Sequence, residues 1–185
     1  MSPGALWVFL PLLGSFLVHA VVLRWDLMPR LKRPLDGGVT FRGRRLLGDN
    51  KTWRGALAMG SGIFALALAL RECPWYRSRL PDAVQTSSAP LFAAALALGA
   101  VAAELPNSFL KRQLDIAPGG QRRSPLGVAL SLFDQGDFVF GVWLALLPIW
   151  RMGAADAAAA FGLVTIAHLA LSAAGYALGV RRTIL

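Results

Sequence analysis

The sequence has few cysteines and few charged residues for its length. A single cysteine, Cys73, stands among 185 residues, which excludes an intrachain disulfide and leaves the redox compartment open. Only 16% of the residues are charged, whereas a soluble domain has roughly a quarter. Hydrophobic residues make up 56% of the chain, and no strand-like alternation of apolar and polar residues is evident. The composition therefore favours a helical membrane protein.

Acidic residues are also scarce, since ten Asp and Glu stand against 19 Lys and Arg and leave a net charge of +9. The basic residues lie in loops between apolar segments, and no soluble nucleic-acid-binding module is visible, so no nucleic acid partner is expected. In a membrane protein such charge marks the cytoplasmic side, contacts the anionic headgroups of membrane lipids, or binds phosphate ligands.

Apolar segments long enough to cross about 30 Å of hydrocarbon recur along the chain. They predict one domain, residues 1–185, of an all-α membrane protein with five transmembrane helices. The predicted spans cover residues 5–23, 55–71, 89–110, 126–150 and 154–179. The first span is expected to be retained, because no basic region precedes it and no small-residue cleavage site follows it. We expect the third to be kinked or broken near Pro106.

The basic residues are distributed unequally between the two sides that five spans create. Residues 24–54, residues 111–123 and the C-terminal tail share one face with fifteen basic residues, whereas the other face has four. By the positive-inside bias, the first face is cytoplasmic and the N-terminus is outside. The predicted location is the cell membrane or an inner membrane.

The predicted cytoplasmic loop at residues 24–54 is too long to be a mere connector. We expect it to be ordered, because its large apolar side chains should be buried: Trp25, Phe41, Leu46, Leu47 and Trp53. Cations stand near glycines at residues 42–45 (RGRR) and 48–51 (GDNK), which suits phosphate oxygens. Asp36 and Asp49 could be metal ligands or could orient the basic side chains.

Polar residues occupy the end of the third span. On a helix, Glu104, Ser108, Lys111 and Asp115 fall on one face, with Asn107 beside Lys111. Hydrogen bonds between helices and a snorkelling lysine would explain most of this stripe. Glu104 lies about one turn deeper, where charge is usually tolerated only for chemistry or transport.

Asp134 and Asp137 lie inside the predicted fourth span. Residues 138–150 would extend only about 20 Å, so the segment before the aspartates must also lie in the bilayer. The pair therefore lies below the cytoplasmic boundary, at a helix break or on a polar face. Spaced i, i+3, the two carboxylates can share a divalent cation with waters and phosphate oxygens. The alternative is ion pairs with the loop arginines, but Gly136 favours a metal site, since it lets a ligand approach the backbone.

A membrane pocket with paired acids, cations and glycine turns suits metal-assisted transfer of a phosphate-containing group to a lipid. Two other hypotheses compete with this one. A small transporter or ion pathway would also use intramembrane acids, although no internal repeat supports it. A CDP-alcohol phosphotransferase would normally show a longer series of spaced acids.

Two segments carry a family resemblance. Residues 34–55 (PLDGGVTFRGRRLLGDNKTWRG), and residues 108–119 (SFLKRQLDIAPG) with 133–138 (FDQGDF), resemble the two signatures of the CDP-archaeol synthase family, relatives of bacterial CDP-diacylglycerol synthases. The resemblance implies a CTP:lipid-phosphate cytidylyltransferase. Such an enzyme would use Mg²⁺ to join CTP to an isoprenoid glyceryl ether phosphate or to phosphatidate, with release of pyrophosphate.

The resemblance also implies roles for individual residues. Asp134 and Asp137 would hold metal and triphosphate, with Lys111 as a further catalytic residue and Glu104 as a candidate metal ligand. The residues that would bind nucleotide or substrate are Asp36, Gly38, Arg44, Asp49, Asn50, Lys51, Ser108 and Arg112. The sequence departs from the family at Ala103-Glu104, where Gly-Asp is common, and at Gln113 and Asp115. A homodimer is kept as a hypothesis, because the sequence does not determine the oligomeric state.

Overall fold

A computed structural model of the protein describes residues 4–117 and 125–177, and these segments are predominantly helical. The helices are α1 (Leu13–Arg24), α2 (Trp53–Arg71), α3 (Pro74–Arg77), α4 (Asp82–Thr86), α5 (Ala89–Gln113), α6 (Pro125–Phe133), α7 (Phe138–Leu146) and α8 (Ala154–Ala177). A 3₁₀ helix at Ala5–Leu12 precedes α1, and a short one lies at Pro29–Leu31. Thr40–Phe41 (β1) and Arg44–Arg45 (β2) form a small antiparallel hairpin.

The predicted membrane architecture is confirmed. Four helical segments in the described chain are long and apolar enough to cross a membrane, and α6 with α7 makes a fifth if this pair is one span bent by 45°. The bend lies at residues 134–137, so the predicted break at the aspartates is present. Of the two alternatives predicted near Pro106, a kink or a break, the break is wrong, because α5 runs through this proline. Neighbouring helices can compensate the single backbone hydrogen bond that a proline removes in a membrane helix.

The core lies where α2, α5 and α7 meet the first 3₁₀ helix. Its most deeply buried side chains include Val8, Ile63, Phe92, Leu96, Val139, Val142 and Leu146. α5 and α7 touch backbone to backbone at Gly99 and Gly141, where a Cβ on Gly99 would lie 2.6 Å from the carbonyl oxygen of Gly141. Small residues allow the two helices to approach closely. In a membrane, dispersion between the closely packed helices stabilises the contact, because the lipid is as apolar as the side chains and no hydrophobic driving force remains. The contact fixes the position of α7 and the aspartates against α5.

The connector between the second and third predicted spans, residues 72–88, folds into α3 and α4. The buried guanidinium of Arg71 holds it by donating to the carbonyl oxygens of Val84, Gln85 (3.1 Å) and Ser87 (2.7 Å). Arg71 also lies over the ring of Phe92, with 5.5 Å between the guanidinium carbon and the ring centroid. A buried arginine thus satisfies backbone carbonyls that water cannot reach.

The burial expected for the large apolar side chains of the loop at residues 24–54 is wrong for three of them. Trp25, Phe41 and Trp53 are 65%, 46% and 51% exposed on the protein, and only Leu46 and Leu47 are partly buried. Indole and phenyl rings beside apolar spans suit the membrane interface, which removes the need for burial in the protein. Polar contacts hold the loop instead.

Candidate active site

Asp36 is the hub of the loop. Its buried carboxylate accepts hydrogen bonds from Arg45 (2.6 Å) and from the backbone amides of Gly38 (3.1 Å), Leu47 (2.9 Å) and Gly48 (3.1 Å). Burial alone would raise the pKa of Asp36, but these hydrogen bonds hold it below the ordinary range of an aspartate. With its oxygens occupied in this way, Asp36 shapes the loop, which favours the second of the two roles left open by the sequence.

The arginines of the hairpin pair with acids of the loop and of α5. Arg45 also bonds Asp49, at 2.7 Å, and Asp49 is otherwise exposed. Arg44 bonds Asp115 at 2.6 Å and donates to the carbonyl oxygen of Gln113. Asp115 has a left-handed φ of +56° beyond the end of α5, so it does not continue the predicted polar stripe. Asp115, one of the residues at which the sequence departs from the family, is therefore the ion-pair partner of Arg44.

Arg112 connects the loop to the end of α5. Lys111 and Arg112 follow the predicted third span, residues 89–110, but both lie in the last turn of α5, which ends at Gln113. Arg112 is buried, and its guanidinium donates to the carbonyl oxygens of Leu47 (3.2 Å) and Ile116. The bond to Ile116 satisfies a carbonyl just beyond the end of α5, and the bond to Leu47 holds the loop against α5. Ser108, one turn earlier, is also buried.

An ion pair joins the loop to the membrane interior. Lys51 Nζ lies 2.5 Å from Glu104 Oε2, and the two side chains are 16% and 25% exposed. Burial lowers the pKa of Lys51, but the attraction of Glu104, with smaller contributions from Asp134 and Asp137, raises it above its ordinary value. Glu104, a candidate metal ligand in the sequence, is thus bound to a lysine.

A second ion pair joins α5 to the break between α6 and α7. Lys111 Nζ lies 3.0 Å from Asp134 Oδ2, and Asn107 Nδ2 donates to Asp134 Oδ1 at 2.8 Å. The two residues are one helical turn apart, so each holds one oxygen of the same carboxylate. The alternative of ion pairs with the loop arginines is absent at Asp134 within the residues that the structure describes.

Lys51, Glu104, Lys111, Asp134 and Asp137 form a charged cluster, and Asp137 is its most deeply buried acid, with 2% exposure. Neither of its carboxylate oxygens has a hydrogen-bond partner in the described segments. It interacts electrostatically with Asp134, Glu104, Lys51 and Lys111, so the break, α5 and the loop meet at this residue. Gly136 was expected to let a ligand approach the backbone, and this prediction is wrong. A Cβ at Gly136 would lie 2.7 Å from the ring of Phe161 and would also meet Thr165. Gly136 makes room for α8 and not for a ligand.

Two cavities border the cluster on different sides. One of about 420 Å³ has the polar residues Asn50, Lys51, Thr52 and Glu104 in a wall that also contains many apolar side chains. The other, about 890 Å³, is an apolar groove between α5 and the bent α6–α7 pair, with Asn107 and Asp137 in its wall. The first combines an apolar wall with a few polar groups, as ligand pockets commonly do, and the second suits an apolar ligand.

The oxygen donors at the break fit a divalent cation that is shared with a substrate. No group of three His, Cys, Asp or Glu residues suited to a metal occurs in residues 4–117 and 125–177. The protein alone therefore offers no complete cage, but Mg²⁺ is often held by one or two carboxylates together with substrate phosphates. The unpartnered oxygens of Asp137 match this pattern.

The structure brings most predicted site residues into one region and adds two. Asp134, Asp137, Lys111, Lys51 and Glu104 belong to the cluster, while Asp36, Gly38, Arg44, Asp49 and Arg112 build the loop beside it. Arg45 and Asn107 were missing from the predicted set. Arg45 stands within the basic turn that the sequence singled out, and Asn107 stands beside Lys111 in the polar stripe, so both had a signal that was not followed.

Comparison with known proteins agrees with the resemblance. The family model described as CarS-like CDP-archaeol synthase matches residues 27–184. A CDP-archaeol synthase of Halobacterium salinarum is 39% identical over 160 residues, which cover 80% of this chain and 81% of that protein. The CDP-archaeol synthase of Methanosarcina barkeri is 33% identical over 166 residues, with coverages of 81% and 89%.

A solved structure is similar as well. It is described as an intramembrane enzyme for archaeal membrane lipid biosynthesis, and it superposes with a TM-score of 0.62 at 29% identity, covering 88% of this chain and 90% of its own. The helical spans, the charged cluster at the end of α5 and these matches agree with one another. This integral membrane protein therefore belongs to the CDP-archaeol synthase family and is an enzyme of the cytidylyltransferase class.

Proposed function

We propose that this chain transfers the cytidylyl group of CTP to the phosphate of a membrane lipid. A lipid phosphate oxygen attacks the α-phosphorus of CTP, the bond from that phosphorus to the oxygen bridging the β-phosphate breaks, and pyrophosphate leaves with the electron pair. The names of the relatives favour an isoprenoid glyceryl ether phosphate over phosphatidate as the acceptor. The products are a CDP-lipid and pyrophosphate.

The observation that carries the proposal is the buried, unpartnered carboxylate of Asp137 among the charges of two separate sequence motifs. A buried charge without a partner is costly, so such a group usually meets a ligand or an ion. Lys51 from the first motif and Lys111 from the second are the cations beside it. This combination suits a reaction between two phosphate-bearing substrates.

Each part of the site has a role in this reaction. Lys51 and Lys111 stabilise the charge that develops on the phosphates and on the leaving pyrophosphate. Asp134 and Asp137 would hold Mg²⁺, which when bound would neutralise charge between the two substrates. Asn50 lines the cavity of about 420 Å³, where the nucleotide would bind, and the apolar groove beside Asp137 would take the lipid chain. Asp36, Gly38, Arg44, Asp49 and Arg112 keep the loop in place, and Ser108 contacts a phosphate.

The test is an assay of purified protein in detergent with CTP, Mg²⁺ and a panel of lipid phosphates of ether and diacyl type. We expect pyrophosphate release together with a CDP-lipid that mass spectrometry identifies. Asp137→Asn should lower turnover by about 10²-fold or more, the scale of losing one electrostatic stabiliser. Asp82→Asn is the matched control, since Asp82 is an exposed aspartate on α4 outside the site. A folded protein that turns over no lipid phosphate would refute the activity.

The orientation and assembly are part of the proposal. The N-terminus would lie outside, and the loop at residues 24–54 and the end of α5 would lie in the cytoplasm, where CTP is found. One domain would comprise residues 1–185, and the homodimer stays a hypothesis that light scattering of the detergent complex would test.

A further inference from the structure

Asn107 presents a second buried acceptor beside Asp137. The side chain is 5% exposed, and its Oδ1 has no hydrogen-bond partner in the described part of the chain. Both residues line the wall of the apolar groove. Three oxygens without a partner in the described residues, one from Asn107 and two from Asp137, therefore belong to side chains that line one cavity. Buried acceptors of this kind need a donor or a cation.

The orientation of the Asn107 amide follows from its neighbours. Its nitrogen lies 2.8 Å from Asp134 Oδ1 and 3.4 Å from the carbonyl oxygen of Leu130. Both of these atoms can only accept when the carboxylate is ionised, so the NH₂ group must face them. A flipped amide would place oxygen against oxygen. Oδ1 of Asn107 therefore points away from Asp134 Oδ1 and from the carbonyl oxygen of Leu130.

We infer that Asn107 Oδ1 is a protein ligand of the divalent cation that Asp134 and Asp137 hold, an inference that rests on the proposed function. Amide carbonyl oxygens are hard donors that accompany carboxylates in magnesium and calcium sites. The NH₂ group of the same side chain orients Asp134, so Asn107 has two functions at the site. Lys111 and the NH₂ group of Asn107 each take one lone pair on a different oxygen of Asp134, so the ion would bind Asp134 through a remaining lone pair.

A binding measurement with Mn²⁺ separates this inference from the proposed activity. Purified protein in detergent is titrated with Mn²⁺ by electron paramagnetic resonance, with and without CTP and without lipid, so that no turnover occurs. Asn107→Leu should weaken Mn²⁺ binding about tenfold or more, the scale seen when groups around a metal are removed. Asn107→Ser, whose hydroxyl is too short to reach, should behave in the same way and serves if the leucine variant does not fold.

Asn107→Asp gives the sharper readout. It keeps an oxygen at this position but places a like charge against Asp134, so its melting temperature without metal should fall. Mn²⁺ should then stabilise it by more than it stabilises the parent protein, which loss of packing alone would not produce. Trp143→Phe is the matched control, because it removes another buried, unpartnered polar atom from α7 without touching the break, and it should bind Mn²⁺ like the parent.

The outcomes are distinct. Weaker binding in Asn107→Leu and Asn107→Ser, with extra metal stabilisation in Asn107→Asp, supports the ligand. Parent-like binding in the Asn107 variants, together with loss in Asp137→Asn, overturns the role of Asn107 and leaves the metal at the aspartates. Failure of the parent to bind Mn²⁺ with or without CTP overturns both the ligand and the metal assignment, while the CTP assay still decides the activity separately.

Discussion

At the scale of single residues, the site depends on how a few buried charges are compensated. Lys51 forms an ion pair with Glu104, and Asp134 is bound by Lys111 and Asn107. Asp137 has no hydrogen-bond partner in the described residues. A charge in a low-dielectric region is tolerated when it is paired, so the unpaired one identifies where a ligand is expected. The acid that departs from the family pattern, Glu104, is one of the paired charges.

The Lys51–Glu104 pair can be tested by a double-mutant cycle. Lys51→Met leaves Glu104 uncompensated beside Asp134 and Asp137, so we expect a lower melting temperature in detergent. Adding Glu104→Gln should recover part of the loss, with a coupling of roughly 0.5–3 kcal/mol for residues in direct contact. Additive effects of the two changes would show that the pair does not contribute to stability.

At the scale of elements, the loop at residues 24–54 and the contact between α5 and α7 hold the cluster together. The loop depends on one buried aspartate that bonds an arginine and three amides. The contact between the helices depends on two glycines. Asp36 and the two glycines lie outside the charged cluster, so each device can be disturbed without replacing a residue of the cluster.

Asp36→Asn should loosen the loop, because it breaks the charge-assisted bonds from Arg45 and weakens those from the amides. Trypsin should then cleave at the hairpin arginines faster than in the parent protein. Asp26→Asn is the matched control, since Asp26 lies in the same loop but is exposed and pairs with Lys32 and Arg54 at the surface, where ion pairs contribute little. Equal protection of the Asp36 variant and the control would contradict the role of Asp36 as the hub.

The lowered pKa of Asp36 also predicts a pH dependence. Its contribution to stability is complete above the unfolded value, about 3.9, and is lost as the pH falls through the lower value of the folded state. The loop of the parent should therefore keep its protection from proteolysis at neutral pH and lose it only in strongly acidic buffer, where an acid-stable protease such as pepsin reports it. The Asp36→Asn variant should lack this transition.

Gly141→Ala should lower the melting temperature in detergent, because a methyl group there would clash with the backbone of Gly99 and with Ala103. Overpacking of this kind costs about 1–3 kcal/mol. Turnover should fall as well, since separation of the helices moves Asp134 away from Lys111. Gly60→Ala is the control, because its Cβ would lie 3.5 Å from Val101 in ordinary contact. There the higher helix propensity of alanine should leave stability unchanged or raised. Equal effects at both positions would contradict the close-packing argument.

At the scale of the whole molecule, the distribution of basic residues predicts the orientation. In a Cys73→Ser background, a cysteine at Ser78, exposed in the connector of residues 72–88, should react with a membrane-impermeant maleimide on intact cells. A cysteine at Arg42, in the hairpin turn, should react only after permeabilisation. The reverse pattern would place the N-terminus in the cytoplasm and overturn the positive-inside argument.

The sequence by itself determined the class, the spans and the region of the site. Apolar length and charge distribution act locally along the chain, so the broken fourth span and the aspartates within it could be derived without coordinates. Asp134, Asp137 and Lys111 could be chosen for the same reason, since charge in apolar sequence is conspicuous.

Only the tertiary structure decided which charges meet. Lys51 and Glu104 are 53 positions apart, and their pairing depends on how the loop folds over α5. The roles of Asp36 and Gly136 changed for the same reason: bonds from distant amides occupy the first, and α8 packs against the second. Contacts between elements depend on three-dimensional packing that no local pattern specifies. The partner of each buried charge, and the lack of one at Asp137 among the described residues, therefore became visible only in the fold.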